Sequence, residues 1–246
     1  MIYAAAVPGP VALVGAGEFL PAMAEFDRGL LDATGRQRPR VVVLPTASAP
    51  DGEHTFRVWG EMGVEHFTAL GAEVEPVLVR TTEEAHDAVA IQAIGEADLI
   101  YLSGGHPRHL LTVLHSSPLG DAIRTANERG AVIAGCSAGA MAIVGRTVDF
   151  RFLPKMKLPM PFPVRWPNGL ALVDGIAVLP HYDAWPETFS AVVALQAPRD
   201  GVILGIDEDT AVVGCNDAWQ VHGQGRVTVW RGRHRERFRK GDAFRV

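Results

Sequence analysis

The chain has 246 residues, 48% of them hydrophobic and 21% charged, with a formal net charge of −5. This is enough to bury a sizeable core and places residues 1–246 near the upper end of one α/β domain, while the mild acidity gives no reason to expect nucleic acid or an anionic membrane as partner. Two cysteines far apart, Cys136 and Cys215, exclude a disulfide framework and a thiolate zinc site, and no apolar run reaches membrane-spanning length; a start without Lys or Arg does not read as a secretory signal, so a cytoplasmic protein is expected.

Short runs rich in Val, Ile and Leu recur at 11–14, 41–44, 77–79, 99–102, 131–134 and 176–179. Several are continuous rather than alternating, the pattern of parallel strands covered on both faces. Stretches of helical character lie between them at 55–70, 83–94, 109–114 and 119–129. Alternating strand and helix predicts a mostly parallel sheet with right-handed crossovers. Residues 211–214, 219–222 and 226–230 read instead as short strands separated by turns, so an antiparallel edge is expected at the C-terminal end. Between Asp149 and Asn168 five prolines preclude a regular helix, and this loop, with Met156, Met160, Phe162 and Trp166, is placed over the cleft or at a subunit contact. Arg231, Arg233, Arg235, Arg237 and Arg239 alternate, which on a strand gives one basic face, a charged edge that discourages sheet-to-sheet pairing.

The strongest local signal is an apolar strand at 131–134 running into Gly135-Cys136-Ser137-Ala138-Gly139 and then into small helix-forming residues. This is the strand, elbow and helix of a nucleophilic serine, with glycines two positions either side allowing close packing. The start of the following helix favours negative charge, and the Ala138 N–H is placed to donate to an oxyanion. Centring the motif on Cys136 would put Ala134 and Ala138 where the glycines belong, so Cys136 reads as a small buried residue behind the serine.

Of nine histidines, His181 follows an apolar strand and stands at its carboxyl edge, where such sheets gather reactive groups, which makes it the candidate base. Glu208, just past the apolar run 202–206, is the chosen orienting acid; Asp183 and Asp149 are rivals, and neighbouring Asp207 and Asp209 leave the choice open. The glycines of Ser103-Gly104-Gly105-His106 suit a second set of oxyanion donors. Gly15-Ala16-Gly17 resembles a dinucleotide fingerprint only briefly, because Leu20 stands where a third glycine belongs.

Four segments, Leu13-Val-Gly-Ala-Gly-Glu18, Leu102-Ser-Gly-Gly-His106, Ala134-Gly-Cys-Ser-Ala-Gly-Ala-Met141 and Gly205-Ile-Asp-Glu-Asp-Thr-Ala211, resemble the aspartyl dipeptidase (dipeptidase E) and cyanophycinase family of serine peptidases, within the class I glutamine amidotransferase-like superfamily. The resemblance implies a Ser-His-Glu triad on Ser137, His181 and Glu208, an oxyanion hole of Gly104, Gly105 and Ala138, and a flavodoxin-like three-layer sandwich. It also implies no metal and no organic cofactor. A small peptide-like substrate cleaved at a peptide or isopeptide bond follows, with the protein a monomer or homodimer. The chain departs from cyanophycinases around His181, where Leu179-Pro180 precedes and residues 182–187 carry none of the arginines expected there; Arg151 or Arg165 would have to replace them. His106, where relatives carry Asp or Asn, joins Tyr182, Asp183 and Arg165 as candidate substrate contacts.

Two other readings share these residues. An α/β-hydrolase esterase has the same elbow but orders its triad serine, acid, histidine, which would need His222 or His234 as base. A catalytically silent member would bind a small metabolite on the same fold.

Overall fold

The computed structural model describes residues 7–149, 164–198, 201–215 and 217–246. Its larger sheet has eight strands in the order β13-β10-β9-β1-β5-β4-β2-β3. The parallel part comprises β1 (Val11–Val14), β2 (Arg40–Leu44), β3 (Glu73–Pro76), β4 (Leu99–Leu102) and β5 (Val132–Cys136). The antiparallel edge expected at the C-terminal end is formed by β9 (Thr210–Cys215), β10 (Ala218–Gly223) and β13 (Ala243–Arg245).

Successive side chains of these strands point to opposite faces, and each face has its own apolar layer. Ala12, Val14, Val41, Val43, Tyr101 and Cys136 face α1 (Ala24–Ala33) and α2 (Glu53–Ala69), where Phe26, Leu30 and Phe67 are buried. Leu13, Val42, Leu44, Ile100 and Ile133 face the other way. They pack with α3 (Ala88–Glu96), α4 (Pro107–Leu114), α5 (Pro118–Glu128) and α6 (Ala138–Ile143). The result is the predicted helix, sheet, helix sandwich.

A second sheet, not foreseen in the sequence, extends that second layer. Its order is β12-β11-β8-β7-β6, built from β6 (Val144–Arg146), β7 (Val173–Leu179), β8 (Val202–Ile206), β11 (Arg226–Arg231) and β12 (His234–Arg239). Ile176, Val178, Leu204, Ile206, Val227 and Val229 turn one face into the shared core, and α7 (Glu187–Leu195) covers the other over Ala177, Leu179, Ile203 and Trp230. Residues 226–231 thus leave the large sheet's edge and pair with β8 instead. On β12, Arg235 and Arg237 both reach Glu187 in the first turn of α7, so part of the basic face is an intramolecular ion pair.

Two boundaries differ from the sequence reading. The run 77–79 is not a strand, because the β2–β3 ladder ends at Pro76; Val77 and Val79 are buried beneath the loop, with the Val79 carbonyl accepting from Thr46 Oγ1 at 2.6 Å. The stretch 83–94 is not one helix: Asp87 takes an extended conformation and its side chain caps α3 by accepting from the Val89 N–H at 2.7 Å, leaving only a 3-10 turn at Glu84–His86 before it. Residues 150–163 of the proline-rich loop, including Arg151, Met156, Met160 and Phe162, lie outside the described residues. No described helix is long and apolar enough to cross a membrane.

Candidate active site

Ser137 sits where β5 becomes α6, with φ 50° and ψ −107°, a conformation that non-glycine residues avoid. What holds it there is the packing on either side. A Cβ on Gly139 would lie 2.2 Å from the Leu102 carbonyl oxygen, and one on Gly135 would lie 2.5 Å from the Gly139 carbonyl carbon, so strand and helix meet at a distance only glycine allows. The Ser137 N–H donates to the Val14 carbonyl at 2.9 Å, which continues the β1–β5 pairing one residue past the strand.

His181 stands one residue past Pro180 at the end of β7, in the left-handed region at φ 49°, ψ 40°. Its Nε2 lies 3.0 Å from Ser137 Oγ, and its Nδ1 lies 2.7 Å from Glu208 Oε1. Glu208 is on the three-residue link between β8 and β9, and its N–H donates to Asp183 Oδ1 at 3.0 Å. The three adjacent acids are thereby separated by use. Asp207 is buried and accepts the Arg226 N–H at 2.9 Å, while Asp209 occupies a left-handed turn position at φ 49°. Burial raises the Asp207 pKa against the opposing pull of Arg226. Four of the six described non-glycine residues with positive φ are Phe19, Ser137, His181 and Asp209, so backbone strain gathers at this end of the sheets.

The loop at 103–106, expected to supply oxyanion donors, follows β4. Of its consecutive N–H groups, Ser103 donates to Leu44 at 3.2 Å, Gly104 to Glu18 Oε1 at 2.9 Å and His106 to Ala47 at 2.7 Å. The sequence assigns Gly104 to the oxyanion hole together with Gly105; the structure turns the Gly104 N–H to Glu18 instead. Gly105, at φ 135°, keeps its N–H out of that set, and Ala138, as the first residue of α6, has an N–H without an intrahelical acceptor.

Among the candidate substrate contacts, Tyr182 is in the core: its ring fills the space beside Gly205 and its hydroxyl accepts from Trp230 Nε1 at 2.9 Å. Aromatic area and a satisfied indole N–H hold the residue in the core beside His181. Asp183 supports the Glu208 backbone. His106 shares a 2.8 Å hydrogen bond with Asp51 and opens onto a cavity of about 740 Å³ lined also by Pro50, Arg108, His109, Thr147 and Asn168. Arg165 forms a backbone bridge with Asp149, whose N–H donates to the Arg165 carbonyl at 3.1 Å.

Cys136 is fully buried, its Sγ 2.8 Å from Glu18 Oε2; burial, with Glu18 adding to it, pushes the thiol pKa well up, which makes it a poor nucleophile. His222, the alternative base of an esterase order, lies in β10 against Phe26, with its pKa lowered by burial. Among the described residues no group of three or more His, Cys, Asp or Glu side chains is placed to hold a metal ion.

Sequence reasoning missed Glu18 and Trp230. An acid directly after an apolar strand and two glycines was the available signal for the first; the second is joined to the site only by the fold.

The family profile described as Peptidase family S51 matches residues 11–222. A cyanophycinase of Trichormus variabilis is 28% identical over 228 residues, covering 89% of this chain and 72% of that protein. An uncharacterized peptidase, YgaJ, of Bacillus subtilis is 31% identical over 174 residues, 70% of this chain and 68% of its own. Among solved structures, a peptidase from an acI-B1 actinobacterium superposes with a TM-score of 0.85 at 28% identity, each chain covered in full. A putative peptidase E protein of Listeria monocytogenes, 18% identical with a TM-score of 0.62 over 89% of this chain and 100% of its own, shares the fold.

Proposed function

The chain belongs to peptidase family S51 and is a serine-type peptidase, and we propose that it works through Ser137, His181 and Glu208 on a small peptide or isopeptide substrate. The observation that carries the assignment is the unbroken chain of contacts from Ser137 Oγ to His181 Nε2 at 3.0 Å and from His181 Nδ1 to Glu208 Oε1 at 2.7 Å.

Glu208 accepts from Nδ1–H, which fixes the tautomer that leaves Nε2 free to take the serine proton. Oγ then attacks the carbonyl carbon, and the resulting oxyanion is held by the N–H groups of Ala138 and Gly105. As the tetrahedral species collapses, the C–N bond breaks and the leaving amine takes the proton from Nε2. Water, giving a proton to Nε2, attacks the acyl carbon; the C–Oγ bond then breaks, Nε2 returns the proton to Oγ, and the carboxylic acid product leaves. The strained backbone at Ser137 keeps Oγ directed at the imidazole without a search among rotamers of the chain.

The cavity that begins at His106, one residue past Gly105, is the proposed seat of the substrate's flanking residues. Arg108 and Asn168 give it donors for carbonyl or carboxylate groups.

Incubation with a fluorophosphonate, followed by intact-protein mass spectrometry, tests the reading. A single adduct on the wild type that disappears in Ser137→Ala is expected, and dipeptide and isopeptide libraries then define the substrate. A folded wild type that takes no adduct beside a labelled control peptidase contradicts it.

A further inference from the structure

The loop after β1 takes no part in the chemistry above, yet it touches the segments that carry Ser137, Glu208 and Gly105. The Gly15 N–H donates to the Thr210 carbonyl at 2.9 Å, behind the Glu208 link. Two residues on, Gly17 packs against Asp209, with no room there for a Cβ. Glu18 follows, 7% exposed, with one carboxylate oxygen on the Gly104 N–H at 2.9 Å and the other on Cys136 Sγ at 2.8 Å. Phe19 holds it from behind at φ 64°, its ring 5.1 Å from Tyr101 and 6.1 Å from Phe67.

A buried carboxylate is retained at a cost unless its oxygens are satisfied, and here both are, by the Gly104 loop and by the last residue of β5, the two segments that face one substrate oxygen in the proposed mechanism. Cys136 precedes the nucleophile; Gly104 precedes the loop's remaining free donor. Because the N–H groups on either side of Gly105 are fixed, by Glu18 and by the Ala47 carbonyl, the plane of the Gly104–Gly105 peptide and the direction of the Gly105 N–H are set.

We propose that Glu18 is the positioning residue of the oxyanion hole, a two-pronged clamp that sets the separation of the Gly105 loop from the serine elbow. The proposal rests on the serine reading above for its catalytic consequence. Its structural half, the bond from Gly104 to Glu18, does not. The clamp acts by reach and not by charge: Gln keeps an acceptor oxygen for the Gly104 N–H and turns its NH2 as donor toward the Cys136 sulfur, while Asp, one methylene shorter, does not span the two groups.

Three variants and two readouts test it. Fluorophosphonate labelling gives the maximal rate and the half-saturating concentration separately. Glu18→Ala and Glu18→Asp are expected to lower the maximal rate about 10- to 100-fold, somewhat less than outright loss of an oxyanion donor, with the half-saturating concentration unmoved; Glu18→Gln should stay within about 3-fold of the wild type. Amide hydrogen exchange by NMR supplies the second readout: Gly104 protected in the wild type and in Glu18→Gln, and unprotected in the other two. Should Glu18→Ala not fold, the Asp and Gln pair carries the comparison. Wild-type labelling rates in Glu18→Asp with a deficient Glu18→Gln would replace reach by charge and overturn the proposal, as would an unprotected Gly104 amide in the wild type. A wild type that is not labelled at all sinks the serine reading and Glu18's catalytic role with it, while a protected Gly104 would still establish the clamp.

Discussion

The proposed nucleophile and the proposed base reach the same point by opposite routes. Ser137 issues from β5, whose residues are all buried, and enters α6, whose residues are all buried too. Its unfavourable backbone is imposed by close packing on every side. His181 and Glu208 stand on short links beside the smaller sheet, with side chains 40% and 52% exposed. They are held by individual hydrogen bonds: Asp183 to the Glu208 backbone, Trp185 Nε1 to the Pro180 carbonyl at 3.0 Å, and Trp230 to Tyr182 beneath. The packing that shapes the Ser137 turn is therefore expected to fail through stability, and the supports of His181 and Glu208 through geometry.

The largest effect that sharpens this contrast is Ser137→Ala, which should lower hydrolysis by about 10⁴-fold or more while unfolding free energy by urea titration changes by less than about 1 kcal/mol. Glu208→Gln should cost about 10³-fold or more, because an amide no longer fixes the histidine tautomer, whereas Asp183→Asn should cost less than about 10-fold; steady-state kinetics in the reverse order would move the acid to Asp183. Gly139→Ala attacks the other half. Its new methyl meets backbone at Leu102, and a loss of about 1–3 kcal/mol or more in unfolding free energy by urea titration is expected, with residual activity tracking the folded fraction.

Tyr182→Phe lies between the halves. It leaves the Trp230 indole N–H without its partner, costing about 1–3 kcal/mol, and loosens His181, so kcat should fall by less than about 10-fold with KM little changed.

The smallest effect concerns a buried acid behind the serine. Asp27 is paired with His66 at 2.8 Å, and burial raises its pKa, opposed by His66 and aided by Glu18. The folded state holds this proton more tightly than the unfolded chain, so the stabilisation is full below the unfolded carboxylate pKa of about 4 and is lost as pH rises through the raised folded value. Melting temperatures of Asp27→Asn should accordingly gain on the wild type across that window and run parallel above it.

The same contrast explains what could be read from the chain. The central strands and the elbow are dense in apolar and small residues over four or five consecutive positions, so 11–14, 41–44, 99–102 and the Gly135–Gly139 motif were legible. The polar β3, with its sequence Glu-Val-Glu-Pro, was not, because an exposed edge strand carries little apolar signal. The smaller sheet was hidden for another reason. Its pairings join segments as distant as 144–146, 173–179, 202–206 and 226–231, and no local pattern states which strand is a neighbour of which. Ser137 and His181 could be singled out from their position at strand ends, and of the three adjacent acids only Glu208 is seen to reach His181 once their partners are known. Glu18 and Tyr182 escaped or were misassigned because their roles depend on contacts with residues more than 40 positions away.

The link that carries Glu208 crosses from the smaller sheet at Ile206 to the larger one at Thr210, and the strand it leads into is the second neighbour of β1. During synthesis, a chain that has emerged through α7 already contains the serine and the histidine. It has neither the acid nor the strand that closes the sheet beside β1. Under the proposed triad, activity therefore requires the chain to extend past residue 208, and a shorter chain has no acid there to orient His181.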